Sequence, residues 1–461
     1  MADKRVNDAR LEPLRAALDE LRHEVLALTS EGGAKAHAAV TRWLHDGRWL
    51  SPSEVTHRAA SVGVSPDVLR PVVRSMRRPL LRPTGFVDEG GRPFVIAAGA
   101  DVVLRRLRTI DLKLGGLVGS GIAVGPHERD QMLKRSLEEE AIRSSEIEGA
   151  VTTRARARAI LERKAPVRTP EEQMVRNGYL ALAYVREHRD ELITVERLME
   201  LHTIVTSGTM SAEDVGRFRA DGEDIHVFDY GRNQPVHVPP PAAGIEDRIA
   251  ALLDFANRGE DDASGPWLHP ALRAIIVHFM IGWEHPFVDG NGRVARALWY
   301  WVMARSGYWL AEFLAISDAI MATRAQYYRA YVDSETDNND LTYFALYHLQ
   351  AIERAVATLE KRLAQHRDRL TRVQLSFGPL NLNHRQKQLL EHALRHPGAD
   401  YRIDVHARHH DVAYATARAD LRDLGERDLL VPTREGRRHV WLAPPDLTER
   451  IGRASGPGRT A

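Results

Sequence analysis

The feature that most constrains the fold is a polar stretch of twelve residues held between two apolar stretches. It reads HPFVDGNGRVAR and runs from His285 to Arg296. Residues 271–283 before it have the apolar density of a core helix, and His269-Pro270 marks the start of that helix. Residues 294–304 after it are equally apolar. The pattern predicts a buried helix, a loop and a second buried helix, so the loop opens into a helix N-terminus.

The loop itself has the composition of a phosphate site. Gly290 and Gly292 allow backbone conformations closed to most residues and let a ligand approach the main chain, and Asn291 tolerates the same region. The unpaired N–H groups and positive dipole end of the following helix favour an anion. Arg293 and Arg296, three residues apart, add forked donors on one helix face.

Two further side chains suggest chemistry at this phosphate site. His285 opens the loop and Asp289 lies next to the glycines, so a base, a divalent cation and a triphosphate can meet in one small volume. Each feature is weak alone, because Gly-Asn-Gly turns occur in many chains and a histidine at a helix end is more often a cap or a core residue. Their combination in one loop indicates catalysis.

The stretch HPFVDGNGRVAR resembles the signature of the Fic family, histidine-x-Phe-x-acid-Gly-Asn-Gly-Arg-x-x-Arg, at every defined position. The resemblance covers roughly residues 100 to 350. It implies an all-α fold around the loop and a protein adenylyltransferase. Such an enzyme transfers AMP from ATP to a serine, threonine or tyrosine hydroxyl of a target protein, and that target can be the chain itself.

The resemblance also implies roles for individual residues. His285 is the general base, Asp289 holds a magnesium ion (Mg²⁺) that bridges the phosphates, and Arg296 takes the γ-phosphate of ATP. Tyr328, on a helix after the motif, is expected at the adenine or ribose, although adjacent aromatic residues on a helix more often belong to a core. The expected ATP-binding residues are Gly290, Asn291, Gly292, Arg293, Val294, Ala295, Arg296 and Tyr328.

Two alternatives to AMP transfer remain open. Other Fic proteins use the same site to remove AMP or to transfer phosphocholine, UMP or phosphate, and the Asp-Gly-Asn-Gly form favours ATP without excluding these reactions. The second alternative is a transcriptional regulator, in which the Fic module senses a nucleotide and a winged helix binds DNA.

A second motif lies upstream, at Ser144-x-x-x-Glu148-Gly149. By itself it reads as a helix C-terminus with Gly149 after the cap. It also resembles the inhibitory helix motif of the Fic family, here expected over about residues 136–150. That resemblance implies that Ser144 and Glu148 are inhibitory and that Glu148 pairs with Arg296. A carboxylate there competes with a phosphate oxygen for the same guanidinium group.

Residues of about 223–238 contain short alternating runs around a glycine turn, which predict a β-hairpin. The hairpin resembles the flap of the family, which positions a segment of the target by strand addition. Such pairing is between main chains, so the flap specifies geometry more than a target sequence.

The length of 461 residues suggests two to four domains. The predicted parts are an N-terminal helical region at 1–98, a Fic core at 99–373, a winged helix at 380–445 and a disordered tail at 446–461. The 64 basic and 63 acidic residues nearly cancel, so long-range attraction to nucleic acid or a membrane is weak. With no cysteine, no long apolar run and no signal-peptide pattern, we expect a cytoplasmic protein without a membrane partner. The sequence leaves a homodimer open.

In the N-terminal region, leucine spacing predicts a helix over residues 9–30. Residues 34–98 could form a small winged helix, with a turn at Gly63, a second helix capped by Ser65 and a hairpin ending at Ile96. Ten Lys/Arg against five Asp/Glu suit DNA. However, Pro71 falls inside the second helix and costs it about 3 kcal/mol. We therefore favour a helical interaction module here.

The C-terminal part has winged-helix order, with helices from Leu382, Ile403 and Tyr414 followed by a two-stranded wing. Its residues 384–443 hold eleven Lys/Arg against nine Asp/Glu. Asp420 and Asp423 are expected to interrupt the basic face of the third helix. The sequence therefore favours protein docking over DNA binding.

Overall fold

The computed structural model describes residues 18–115, 126–223, 225, 227–229, 234–259, 261–262, 265–375, 377, 380–435 and 438–454. The described chain is mainly helical with small two- and three-stranded sheets, which confirms the all-α prediction. None of the helices in these ranges is long and apolar enough to span a membrane. The chain divides into two compact units, Met1–Gly119 with Ser136–Val356 and Ser120–Arg135 with Ala357–Ala461.

The first unit begins with a small helical module followed by a hairpin. Its elements are α1 (residues 18–29), α2 (Gly33–His45), α3 (Pro52–Val62), α4 (Pro66–Arg77), β1 (Arg82–Val87) and β2 (Pro93–Ile96). Ser51 and Glu54 form a capping box at the start of α3, and α3 ends at Gly63 in the left-handed region. The predicted turn and hairpin are confirmed, whereas residues 9–17 of the predicted first helix lie outside the described residues.

Two details of this module differ from the sequence expectation. Ser65 occupies the N-cap position of α4, but its side chain makes no capping hydrogen bond. Pro71 lies inside α4 without ending it, because Leu69 and Val72 are fully buried and hold the helix in the core of the module. Packing therefore compensates for the lost backbone hydrogen bond.

Hydrogen bonds join this module to the rest of the first unit. Trp49 Nε1 donates to Asp340 Oδ2 at 3.0 Å, and Arg77 Nη1 donates to Tyr343 Oη at 2.6 Å. Burial raises the pKa of Asp340 to about 6. The backbone of Val95 in β2 pairs with residues 339–341. The predicted domain boundary at residue 98 stays a prediction.

The remaining elements of the first unit contain the predicted loop, and the helices at 126–147 and 342–375 belong to this unit only over residues 136–147 and 342–356. These elements are α5 (Asp101–Leu114), α6 (Pro126–Ile147), α7 (Arg154–Leu161), α8 (Pro170–Glu187), α9 (Val195–Thr206), β3 (Val227–Asp229), β4 (Gln234–His237), α10 (Ile245–Asn257), α11 (Pro270–Glu284), α12 (Asn291–Arg305), α13 (Ile316–Met321), α14 (Arg324–Thr336) and α15 (Thr342–Leu375). Nearly all of α11 and α12 is buried, which confirms the predicted helix, loop and helix. The second helix begins at Asn291, not at Val294, so the Asn-Gly-Arg sequence forms its first turn.

The second unit contains helices around a three-stranded sheet of order β5-β7-β6. Its further elements are α16 (His384–Arg395), β5 (Asp400–Tyr401), α17 (Ile403–His410), α18 (Tyr414–Glu426), β6 (Val431–Glu435), β7 (Arg438–Leu442) and α19 (Leu447–Ala454). The three predicted helices and the hairpin are confirmed. The prediction of a disordered tail from 446 is wrong for α19, because Leu447 and Ile451, one helical turn apart, pack into the core of the unit.

The expected placement of Asp420 on the outer face of α18 is also wrong. Asp420 is buried and accepts hydrogen bonds from Asn383 Nδ2 and Arg385 Nε, both at 2.7 Å. Asp423 accepts one from Gln386 Nε2 at 2.7 Å. Asp420 therefore turns toward α16, whereas Asp423, with its side chain 36% exposed, also accepts a hydrogen bond from Arg427 Nε at 2.9 Å.

Candidate active site

His285 lies at the point where α11 gives way to the loop. Its backbone is left-handed, with φ 44° and ψ 57°, and its N–H closes the last turn of α11 on Ile281. The ring nitrogen Nδ1 lies 3.2 Å from the Gly282 carbonyl oxygen. Since a carbonyl can only accept, Nδ1 carries the hydrogen and Nε2 keeps its lone pair. The ring therefore has a lone pair on Nε2 that can accept a hydrogen bond.

Burial lowers the pKa of His285 to about 4, against the opposing effect of the hydrogen bond to Gly282. The positive charge of Arg219 and the neighbouring His237 act in the same direction as burial. The imidazole is neutral at pH 7 as a result, and its Nε2 is available to accept a proton.

The turn after His285 is fixed by its own side chains. Asn291 Oδ1 accepts from the Phe287 N–H at 2.9 Å, and Asn291 Nδ2 donates to the Phe287 oxygen at 2.8 Å. Gly290 has φ 88°, and a Cβ there would lie 2.9 Å from Thr206 Cγ2. Only glycine satisfies both the backbone angle and the space.

His202 on α9 binds the backbone of the loop, a role that the sequence did not predict. Its Nδ1 accepts from the Gly216 N–H at 3.0 Å, so its Nε2–H donates to the Asp289 carbonyl at 3.0 Å. The ring stacks on Phe287 with centroids 3.8 Å apart. Burial lowers the pKa of His202, which keeps the ring neutral as this pattern requires. A single histidine in an apolar helix gives no sequence signal for such a role.

Arg219 also supports the loop, and the sequence did not predict this role either. Its N–H donates to the Pro286 oxygen at 2.9 Å, and its Nε donates to the His285 oxygen at 2.9 Å. Its Nη2 reaches the Glu284 oxygen at 3.2 Å. Arg219 therefore binds the carbonyl groups left unpaired at the end of α11. The Gly216-Arg-Phe-Arg219 sequence was the available signal, but it specified no partner.

Asp289 and Arg293 are brought together at the start of α12. Arg293 is buried and donates through Nη2 to Asp289 Oδ2 at 2.8 Å and through Nη1 to the Val205 oxygen at 2.9 Å. The Asp289 side chain is 57% exposed. Its carboxylate therefore faces solvent at the mouth of the helix N-terminus.

The residues present fit a magnesium ion that has only one protein ligand. Among the described residues, no group of three or more His, Asp or Glu side chains could hold a metal ion. Magnesium commonly uses one or two carboxylates and completes its shell with phosphate oxygens and water. The single outward carboxylate of Asp289 fits an ion that arrives with a nucleotide.

Arg296 lies on α12 against the C-terminal end of α6. Its Nε donates to Ser144 Oγ at 2.8 Å, and its Nη2 donates to the Ser144 oxygen at 3.0 Å and to Glu148 Oε1 at 2.8 Å. The Arg296 side chain is 2% exposed and that of Glu148 is 31% exposed. A Cβ on Gly292 would lie 2.3 Å from Glu148 Oε1. The carboxylate thus lies directly over the first turn of α12, where a phosphate would bind.

Val294, Ala295 and Tyr328 complete the predicted set of ATP-binding residues. Val294 and Ala295 are buried, because a helix that starts at Asn291 turns them into the core, and the Val294 N–H is bonded to the Gly290 oxygen. Tyr328 is 38% exposed and contacts Arg324. Burial raises the pKa of its neighbour Tyr327, and the positive charge of Arg296 opposes that rise.

The predicted flap is an antiparallel pair of β3 and β4, with Val227 opposite His237 and Asp229 opposite Gln234. Residues 230–233 at its turn lie outside the described residues. His237 Nε2 lies 2.7 Å from the Trp283 oxygen, and Nδ1 lies 3.2 Å from Glu335 Oε2. Burial lowers the pKa of His237, but the hydrogen bond and charge of Glu335 outweigh it and raise the pKa overall. Both partners accept, so the ring favours the doubly protonated form.

Comparison with known proteins accounts for this arrangement. Residues 192–303, which include α9, the flap and the whole loop, match the Fic/DOC family. A Fic family protein from Desulfovibrio desulfuricans shares the fold, with a TM-score of 0.50 and 20% identity over 73% of this chain and 95% of that protein. The chain therefore contains a segment, residues 192–303, that is similar to the Fic/DOC family.

Two relatives matched by sequence carry the same name. The protein adenylyltransferase Fic of Drosophila yakuba is 32% identical over 222 residues, which are 45% of this chain and 41% of that protein. The protein adenylyltransferase Fic of Nematostella vectensis is 29% identical over 195 residues, which are 41% of this chain and 42% of that protein. The match thus spans about two fifths of the length of these relatives.

Proposed function

We propose that the chain is a protein adenylyltransferase, which transfers AMP from ATP to a serine, threonine or tyrosine hydroxyl of a protein. The observation that carries this proposal is the orientation of His285. The bond from Nδ1 to Gly282 leaves a lone pair on Nε2, and the loop that His285 opens leads into a helix N-terminus that is suited to phosphate and carries two buried arginines. The names of the sequence relatives support the same reaction.

His285 acts on the attacking group. The neutral ring takes the proton of the target hydroxyl at Nε2 while that oxygen forms a bond to the α-phosphorus of ATP. The bond from the α-phosphorus to the bridging oxygen breaks, and pyrophosphate leaves with the electron pair. The low pKa of His285 keeps the ring ready for this step, and a positioned base contributes about 10²- to 10⁴-fold.

The start of α12 orients the nucleotide. The N–H groups of Asn291 and Gly292 and the guanidinium of Arg293 face the phosphates, and Arg296 is assigned to the γ-phosphate. Asp289 would hold Mg²⁺, which neutralises phosphate charge when it is bound. His202 and Arg219 fix the backbone of the loop, so that these donors do not have to reorganise.

The basal state is autoinhibited in this proposal. Glu148 occupies one donor of Arg296 and covers Gly292, so the γ-phosphate has neither its guanidinium nor its place over the helix. Ser144 holds a second donor of the same guanidinium. ATP that binds in spite of Glu148 then has its α-phosphate out of line for attack.

The remaining assignments are also proposals. The flap positions an extended segment of the target, a role that suits the free edge of a two-stranded hairpin. Residues 380–445 form a winged helix, which is supported by the order α16, β5, α17, α18, β6 and β7. We propose a cytoplasmic location.

The experiment uses ATP radiolabelled on either the α-phosphate or the γ-phosphate. The wild type and Glu148→Gly are incubated with a cell lysate, and proteins are separated to see which label is retained. AMP transfer retains only the α label, whereas phosphate transfer retains only the γ label. His285→Ala in the Glu148→Gly background should lose labelling by orders of magnitude.

The matched control is His409→Ala in the same background, because His409 is an exposed histidine on α17 in the second unit. It should label as strongly as Glu148→Gly alone. Retention of the γ label, or full labelling by the His285→Ala variant, would show that the proposed reaction is wrong.

A further inference from the structure

The outward face of α18 is a surface that the proposed function does not use. Its exposed residues are Tyr414, Ala415, Arg418, Ala419, Arg422 and Glu426. Tyr414, Arg418 and Arg422 recur every four residues and so form one row along the helix. Arg418 has no hydrogen-bond or ion-pair partner among the described residues. The row therefore presents two cations toward solvent.

The acidic residues of α18 do not neutralise this row. Asp420 is buried and bonded by Asn383 and Arg385, and Asp423 is bonded by Gln386 and Arg427. Glu426 at the end of the helix lies 3.1 Å from Arg422, but both side chains are more than half exposed, at 71% and 65%. An exposed pair of this kind contributes little and yields to a stronger anion.

The same face is shaped for close approach. Ala415 and Ala419 lie beside the arginine row, so no long side chain keeps a large ligand away from the helix backbone. The β6–β7 hairpin packs against the C-terminal end of α18, since a Cβ on Gly425 would lie 3.0 Å from Trp441 Nε1. Arg434 and His439 pair across this hairpin, and both are exposed.

We propose that the α18 face binds double-stranded DNA, with the helix in the major groove and the β6–β7 hairpin along the backbone. Arg418 and Arg422 are four residues apart, so they are separated by about 6 Å along the helix. That distance is close to the axial rise of two phosphates on one strand, about 7 Å. The major groove of B-DNA is wide enough for an α-helix.

Charge and composition favour DNA over a protein partner. A stable protein interface has an apolar, well-packed centre. On α18 the only large apolar side chain of the outward face is Tyr414, at its N-terminal edge, and the middle of the face carries Arg418 and Arg422. A regular row of cations beside small residues suits a regular polyanion better than it suits the apolar surface of a protein partner. This proposal is independent of the transferase assignment.

The test measures fluorescence anisotropy of a labelled duplex of random sequence with the full chain. At low salt we expect binding with a dissociation constant in the micromolar range. The logarithm of the binding constant should fall linearly with the logarithm of the salt concentration. Arg418→Ala with Arg422→Ala should weaken binding roughly 100-fold at about 50 mM salt and reduce the salt slope by about two. Both side chains are exposed, so the variant should unfold at the wild-type temperature.

Arg453→Ala is the matched control, because Arg453 is an exposed arginine of the same unit on α19. It should leave the affinity for the duplex within twofold of wild type. Unlabelled poly-glutamate serves as the competitor that stands for an acidic protein. The proposal fails if the duplex does not bind at low salt, if the double variant binds like the control, or if poly-glutamate displaces the duplex as well as DNA does.

Discussion

Replacement of Glu148 by glycine should release Arg296, and the contacts give the size of the effect. One charge-assisted hydrogen bond of 2.8 Å joins Glu148 to a guanidinium that is 2% exposed. Hydrogen bonds to charged groups contribute about 1.5–3 kcal/mol. A γ-phosphate that must displace Glu148 therefore binds roughly 10- to 150-fold more weakly than one that finds Arg296 free. Glu148→Gly should recover this factor, together with correct alignment of the α-phosphate.

The assay combines calorimetry with intact mass measurement. A non-hydrolysable ATP analogue and magnesium are titrated into wild type and Glu148→Gly, and self-modification by ATP is followed in parallel. Glu148→Gln is the informative intermediate, because it keeps the shape over Gly292 but loses the negative charge. It should gain less than Glu148→Gly, since part of the obstruction is steric.

Glu148→Gly with Arg296→Ala tests the reason for the gain. If the released arginine is what matters, this double variant should be as silent as wild type. A loosened end of α6 would instead leave it active. Activity in the double variant, or a Glu148→Gly variant as quiet as wild type, would refute the pairing as an inhibitory contact.

The remaining predictions concern the base, its support and the metal. His285 must be neutral to take a proton, and its pKa is lowered to about 4. The pH–rate profile of Glu148→Gly should therefore be nearly flat between about pH 6 and 8 and should fall only as the pH approaches 4. A midpoint near 6.5 would contradict this. His202→Phe keeps the stack on Phe287 but leaves the Asp289 oxygen and the Gly216 N–H unpaired, so it should cost about 1–3 kcal/mol per group in thermal unfolding and reduce transfer. Asp289→Asn should raise the magnesium concentration for half-maximal transfer by roughly tenfold or more, because the ion loses a charged ligand; an unchanged magnesium titration would remove Asp289 as its ligand.

Local sequence was enough for the framework of the site. Two apolar runs and a Gly-Asn-Gly turn specified a buried helix, a loop and a second helix, because burial and backbone freedom are properties of neighbouring residues. The hairpins and the helices of the second unit were predictable for the same reason. The proximity of Glu148 to Arg296 came from a family pattern, since nothing in either segment alone names the other.

Errors in the sequence analysis arose where a side chain's direction mattered. Asp420 was expected on an outer face and is buried, and residues 447–454 were expected in a tail and form α19. In each case the residue type was read correctly, and the packing partner was unknown.

By itself the sequence determined which residues could act and which segments would be helical, because both depend on residue chemistry and short-range periodicity. Tertiary structure alone decided what holds them in place. His202 reaches the Asp289 carbonyl across 87 residues of chain, and Arg219 reaches the end of α11 across 66. Such hydrogen bonds form only after separate helices have packed, because the main-chain groups that they bind are the same in every residue and leave no mark in the sequence.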